Sequence, residues 1–234
     1  MSHAAALRDQ ICDIGRRCYA RQFVSGNDGN ISYRLSDNEV LCTPTLICKG
    51  FMTPDDLCTV DLDGRQTSGD RKRTSEILLH LEIYRRDSKT RAVVHAHPPH
   101  ATAFGVAGED IPTGILPEGE VFLGVVPRAA YETPGTQEFA ETIRPFVKSS
   151  CAVVLSNHGT ASWAETVERA YWNTEILDAY CRILLLARQL GNVNRLPADK
   201  VRELLALRDT FGAPPDPRGD ESDAELYRNP DFGK

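Results

Sequence analysis

This chain has no excess of positive charge, no long apolar run and no even set of cysteines, and each absence removes a class of protein. Lys and Arg number 27 against 33 Asp and Glu, giving a formal net charge of −6, so there is no basic footprint for nucleic acid. A small anionic substrate stays compatible, because a local basic pocket can sit within an acidic whole. No stretch approaches the roughly 18 apolar residues of a membrane span, and the opening MSHAAALRDQICDIGRR has no continuous apolar h-region. The seven cysteines (Cys12, Cys18, Cys42, Cys48, Cys58, Cys151 and Cys181) are odd in number and scattered, which reads as a reduced protein and not a disulfide framework. The expectation is a cytoplasmic protein.

No internal repeat and no linker divides the 234 residues, and strand and helix patterns interleave throughout. The first 22 residues have Leu7, Ile11, Ile14, Cys18 and Tyr19 at helical spacing. ISYRL, the stretch around Val40 to Cys42, and DLCTVDLDG read as strands, QTSGDRKR as a polar loop, and TSEILLHLEIYRR as a helix starting near Thr74 or Ser75. RAVVHAH reads as a strand ended by Pro98 and Pro99, ATAFGVAG as a short helix, VFLGVVP as a strand, TQEFAETIRPFV as a helix and CAVVLS as a buried strand. A long helical pattern then runs from ETVERAYW to Gly191, with a last helix near Pro197 to Thr210. These observations predict one α/β domain over 1–212. The Pro, Gly and acidic content of 213–234 predicts an extended, poorly packed tail.

Three of the six histidines fall in VVHAHPPHATAF. His95 and His97 are i and i+2 on the predicted strand, so both side chains leave one face and can converge on an ion. Imidazole suits zinc and other first-row metals, and a catalytic zinc has three protein ligands and an open position. A lone HxH is equally the mark of surface or hydrogen-bonded histidines. His158 in SNHGT emerges just past an apolar strand, where Gly159 lets backbone approach closely. By contrast, His100 follows two prolines and reads as a cap or packing residue, and His80, mid-helix among leucines, reads as structural.

Glu76 opens the helix after RKRTS, where a carboxylate suits the helix dipole and Thr74 and Ser75 can cap. On local evidence it is an ordinary first-turn glutamate. The same helix start, preceded by Arg71, Lys72 and Arg73, also makes a reasonable anion site. SGNDGNIS supplies a second cradle through Gly26 and Gly29, although Asp28 would repel a phosphate unless it faced away.

Taken together, GNDGNIS, TPT at Thr43 to Thr45, TSE, VVHAHPPHATA, YETPGT and SNHGT before a long helix resemble the class II aldolase/adducin family, over about Ala5 to Gly212. The resemblance implies a three-layer α/β/α fold around a largely antiparallel sheet, assembled as a homotetramer with active sites at subunit interfaces. It implies Zn2+, with Mn2+ or Co2+ as alternatives, bound by His95, His97 and His158. Glu76 would be the catalytic acid/base, and Gly29, Asn30, Thr45, Thr74 and Ser75 would hold a phosphate. The implied reaction is retro-aldol cleavage of a ketose 1-phosphate of fuculose, rhamnulose or deoxyribulose type, giving dihydroxyacetone phosphate and an aldehyde.

Members of the family also include sugar-phosphate 4-epimerases, decarboxylases of phosphorylated oxo acids, dehydratases and non-catalytic adducin heads. Glutamate at position 76 argues against the epimerases, which have aspartate there, but not against the decarboxylases. The intact set of three histidines and Glu76 argues against an association module. This chain departs from the aldolases at Leu46, where they have glycine, and in TLICKGFMTPDDL, where Lys49 is placed to shape or bind the substrate. Their two catalytic tyrosines have no tyrosine counterpart: ILPEGE offers Leu116 and Glu118, and the C-terminal position is Phe211. Glu118 and Tyr227 are the candidates to replace them.

Overall fold

A computed structural model of the protein describes residues 3–214 and 216–228. Eight strands form one sheet in the order β4-β3-β2-β1-β5-β8-β7-β6. They are β1 (Asn30–Ser36), β2 (Glu39–Cys42), β3 (Cys58–Val60), β4 (Gln66–Ser68), β5 (Ala92–Ala96), β6 (Arg128–Ala129), β7 (Ala152–Leu155) and β8 (Gly159–Ala164). Every pairing is antiparallel except β6 with β7. The helices are α1 (His3–Ala20), α2 (Ile77–Arg86), α3 (Pro99–Ala107), α4 (Gln137–Glu141), α5 (Val167–Leu190), α6 (Ala198–Ala206) and α7 (Asp223–Leu226).

Strand alternation sorts the core into two faces. Val93 of β5 joins Val40, Cys58 and the apolar residues of α2 and α4 on one side. Ala92, Val94 and Ala96 join Ile11, Ile14 and Val167 from α1 and α5 on the other, and α3 extends that layer through Ala101 and Phe104. The three-layer α/β/α expectation is met. Among the described residues no helix is long and apolar enough to cross a membrane.

Three expectations are corrected. VFLGVVP is not a strand: Gly119–Leu123 forms a π-helical turn, whose entry packs against the ring of Tyr180. Gly124 then turns the backbone at φ 69°, so the strand that follows is confined to the two residues of β6. Within TQEFAETIRPFV, α4 stops at Glu141, ahead of Pro145, which cannot continue a helix. The segment after 213 is not poorly packed. Arg218 is fully buried, ion-paired to Glu120 and Asp216, and Leu226 of α7 is buried against α6. Residues 215 and 229–234 lie outside the described part.

Two strands were absent from the sequence reading. QTS, read as loop, is the exposed edge strand β4. GTASWA forms β8, which lies between β5 and β7 and carries little of the Val and Ile content that marks a buried strand.

Candidate active site and metal centre

The sheet assembles the histidines. In the register, His95 faces Asn30 of β1 and Ala161 of β8, so it occupies the middle of the sheet. His97 lies just past the end of β5, and its N–H donates to the Phe23 carbonyl at 2.7 Å. His158 sits in the β7–β8 turn, after Asn157 at φ 55°. A Cβ at Gly159 would overlap the His97 ring and the Ala96 carbonyl, so glycine is what allows this turn to close on β5.

The three rings lie 4.8 to 5.0 Å apart, centroid to centroid, and their ligand atoms all fall within 4.8 Å of one another. Each ring is oriented by a different circumstance. His95 Nδ1 donates to the Thr160 carbonyl at 2.8 Å, which leaves Nε2 facing inward. His97 Nδ1 is 3.2 Å from the Asp28 carboxylate, and its Nε2 is 3.2 Å from that of His95. His158 Nδ1 is buried with no hydrogen-bond partner. Two imidazole nitrogens turned on each other, with the third ring within 5.0 Å of both, fit a bound cation, and the partners on the outer nitrogens of His95 and His97 are of the kind metal-bound histidines make.

Glu76 is the residue before α2, not within its first turn. Its Oε2 accepts from Asn30 Nδ2 at 2.8 Å and lies 3.2 Å from His95 Nε2. Its Oε1 is 3.3 Å from His158 Nε2, yet it is buried and makes no hydrogen bond. Burial alone would raise the Glu76 pKa, but His95, His158 and Asn30 together hold the carboxyl well below its usual range. Burial lowers His97 and His158 to about 4. For His95 burial also acts downward, but the Glu76 charge prevails and raises it.

One consequence concerns metal uptake. With no cation in the site, the raised pKa keeps a proton on His95 to higher pH, and an incoming metal must displace it. His97 and His158 are already neutral near pH 7 and do not compete. Apparent metal affinity is therefore expected to rise about tenfold per pH unit below the His95 pKa and to level off above it. Competition titrations with a chelator across pH would measure this. A flat profile from pH 5 to 8 would mean that no proton is displaced.

Beside the histidines lies a cavity of about 240 Å³ lined by Asn27, Asp28, Gly29, Asn30, Pro44, Thr45, Lys49, Thr74, Ser75, Glu76, His97 and His158. All five residues expected to hold phosphate are present. Gly29, at φ 67°, approaches Val24 and the His95 carbonyl so closely that a side chain would clash. Thr74 N donates to the Thr43 carbonyl at 3.1 Å, and Thr45 N donates to the Lys72 carbonyl at 3.0 Å. These two bonds bring the TPT and TSE segments to one rim.

Lys49 is 2% exposed, donates Nζ to the Asn27 and Ile47 carbonyls at 3.0 and 2.7 Å, and is pushed down to about 8 by burial. Asp28 lines the same cavity, with one carboxylate oxygen 3.2 Å from His97 Nδ1. The basic triplet is not aimed at this cavity: Arg71 pairs with Asp56, and Arg73 donates to the Gly64 and Thr74 carbonyls.

Other residues fall outside. His100 Nδ1 is 2.8 Å from Asp178 of α5, which also accepts from the His100 and Ala101 backbone. Glu118 is exposed at the start of the π-helical turn and does not line the cavity. Phe211 stacks edge-on against Phe122. Tyr227 donates its hydroxyl to the Leu196 carbonyl.

A sequence model of the class II aldolase and adducin N-terminal domain matches residues 9–185. The chain belongs to the class II aldolase/adducin family. It is 38% identical over 177 residues to L-fuculose phosphate aldolase of Methanococcus vannielii, covering 74% of this chain and 91% of that protein. It is 32% identical over 217 residues to 3-oxo-tetronate 4-phosphate decarboxylase of Cupriavidus necator, covering 91% of this chain and 99% of the relative. Among solved structures it is similar to YgbL of Escherichia coli, described as an aldolase/epimerase/decarboxylase, with a TM-score of 0.80, 30% identity, and 87% and 99% of the two chains covered. Class II aldolases are typically metal-dependent, and the histidine cluster described above can hold the ion.

Proposed function

We propose that this protein is a metal-dependent carbon–carbon lyase that releases the enediolate of dihydroxyacetone phosphate, acting on a ketose 1-phosphate by retro-aldol cleavage. The observation that carries this reading is Glu76: an ionised carboxylate with one oxygen anchored and the other unpartnered, set between three convergent imidazoles and a cavity lined by phosphate-type donors. A divalent ion on His95, His97 and His158, zinc by resemblance, would act as a Lewis acid toward the substrate's carbonyl oxygen. Gly29, Asn30, Thr45, Thr74 and Ser75 bind the phosphate, and Lys49 adds positive charge from the cavity wall. Glu76 Oε1 then moves the proton on the carbon from which the bond has broken.

A second reading is decarboxylation of a 3-oxo acid 4-phosphate, which leaves the same three-carbon enediolate. Retro-aldol cleavage must also take a proton from the hydroxyl that becomes the aldehyde, whereas loss of carbon dioxide requires no such base. The titratable groups lining the cavity are Asp28, Lys49, Glu76, His97 and His158, and Glu118 is not among them. Coverage also favours this reading, since the decarboxylase relative matches 217 residues and the aldolase relative 177.

Leu46 and Phe51, 78% and 73% exposed, flank cavity residues Thr45 and Lys49. Exposed apolar side chains of this kind suit a subunit interface, and the homotetramer with sites at subunit interfaces is what the family resemblance implies. The enzyme belongs in the cytoplasm on this reading. Ketose 1-phosphates and 3-oxo acid 4-phosphates supplied separately to metal-loaded protein test the assignment. Aldehyde together with dihydroxyacetone phosphate from the first set is expected. Carbon dioxide from the second set, with no aldehyde from the first, would replace the aldolase reading with the decarboxylase one.

A further inference from the structure

Behind Glu76 the protein buries an unbroken series of polar side chains. Asn30 Nδ2 is 2.8 Å from Glu76 Oε2, and Asn30 Oδ1 is 2.5 Å from His80 Nε2. His80 Nδ1 is 2.6 Å from Ser32 Oγ, which is 2.7 Å from the Tyr84 hydroxyl. Asn30, Ser32, His80 and Tyr84 are 0 to 4% exposed. The arrangement follows from two periodicities. Positions 76, 80 and 84 are spaced by four along α2 and its entry, and positions 30 and 32 by two along β1, so one helix stripe and one strand face interleave as rungs.

The chemistry of the groups fixes which way every hydrogen points. An ionised carboxylate only accepts, so Asn30 presents its NH2 to Glu76 and its carbonyl oxygen to His80. The carbonyl cannot donate, so His80 must carry its hydrogen on Nε2. Burial, reinforced by the nearby His95, outweighs the Glu76 charge and keeps that ring neutral, so Nδ1 has a lone pair and accepts from the Ser32 hydroxyl. Ser32 in turn accepts from Tyr84, whose hydroxyl has a longer 3.3 Å contact to the Arg91 carbonyl. All four donors are directed toward the carboxylate, and each bond polarises the next.

We propose that His80, Ser32 and Tyr84 are positioning residues for the reaction. Their one-way hydrogen-bond chain locks the Asn30 amide, which pins Glu76 Oε2 and leaves Oε1 as the only oxygen that works in the cavity. The chain orients and does not shuttle protons, because reversing it would require Asn30 to turn its NH2 toward His80 and abandon Glu76. This rests on Glu76 being the acid/base. The hydrogen-bond directions themselves do not depend on that.

Nitrogen-15 NMR of His80 in the zinc-loaded protein reads the chain directly. A protonated Nε2 and a bare Nδ1 are expected, and the opposite tautomer overturns the proposal, whether or not any substrate is turned over. In kinetics, His80→Leu is expected to lower kcat about 10–100-fold, the usual cost of removing a supporting hydrogen bond, with KM and bound metal changed little. His80→Gln, which can still donate to Asn30, should recover part of the loss. A folded, metal-loaded His80→Leu protein with the wild-type kcat overturns the proposal. Should His80→Leu not fold, Ser32→Ala leaves the ring in place but removes the donor to Nδ1. The Nε2 tautomer, fixed from the Asn30 side, should then persist while kcat falls several-fold, whereas an unchanged kcat or a switch to the Nδ1 tautomer overturns it. Loss of all lyase activity toward every substrate in wild-type protein would reject the functional reading and leave the tautomer measurement to decide the chain.

Discussion

Glu76→Gln is expected to lower kcat by about 10²–10⁴-fold while the protein keeps its metal. The substitution preserves shape, and the amide oxygen can still accept from Asn30 Nδ2, so the anchored end of the side chain need not move. What changes is the other end. Oε1 is buried, unpartnered and ionised in the present protein, and an amide there cannot take up a proton. Each imidazole also has a support apart from Glu76: the Thr160 carbonyl for His95, Asp28 for His97 and the β7–β8 turn for His158. Steady-state kinetics with metal analysis on the same preparation checks the expectation. Wild-type kcat in the metal-loaded variant would remove Glu76 from the acid/base role.

His158→Ala is expected to abolish stoichiometric metal binding, and activity with it, whereas His100→Ala should retain both. Loss of a hydrogen bond that merely supports a metal-bound histidine costs about 10–100-fold in affinity, and deleting one of three ligands goes beyond that. His100 belongs to a different structure: its ring and backbone are held by Asp178 at the start of α3. Its removal forfeits one hydrogen bond to a charged group, about 1.5–3 kcal/mol at most, and less here because the ring is partly exposed. Elemental analysis of the two purified variants decides the matter. Metal retained by His158→Ala would exclude it from the ligand set.

These predictions draw on parts of the site that the sequence discloses unequally. The HxH pair is legible because strand geometry has a period of two, and His158 because an apolar run ends just before it. The proximity of His158 to His95 is less legible, since it depends on β8. That strand is built of Gly, Thr, Ala and Ser with a single Trp, and lacks the β-branched run that marks its neighbours β5 and β7. VFLGVVP has the opposite fault: its composition suits a strand, but Gly124 and the packing of Gly119 on Tyr180 turn it elsewhere. His80 was legible as a mid-helix histidine, structural or solvated, but not as a member of the site. A signal was available, in that Glu76, His80 and Tyr84 recur every four residues along α2 and its entry and so form one polar stripe. Which strand face that stripe would meet is a tertiary fact.

The buried ion pair between Glu120 and Arg218 bears on the order in which the protein is completed. Glu120 is 1% exposed, and Arg218 is its cationic partner across 98 residues of chain. A desolvated carboxylate without its cation costs several kcal/mol. During synthesis, which proceeds from the N-terminus, Glu120 is added well before Arg218 exists. The π-helical turn therefore cannot settle with its carboxylate ionised and buried until the segment bearing Arg218 has been made. A stretch that composition marks as an appendage thus acts as a checkpoint, withholding the final closure of this region until Arg218 has been made and has docked.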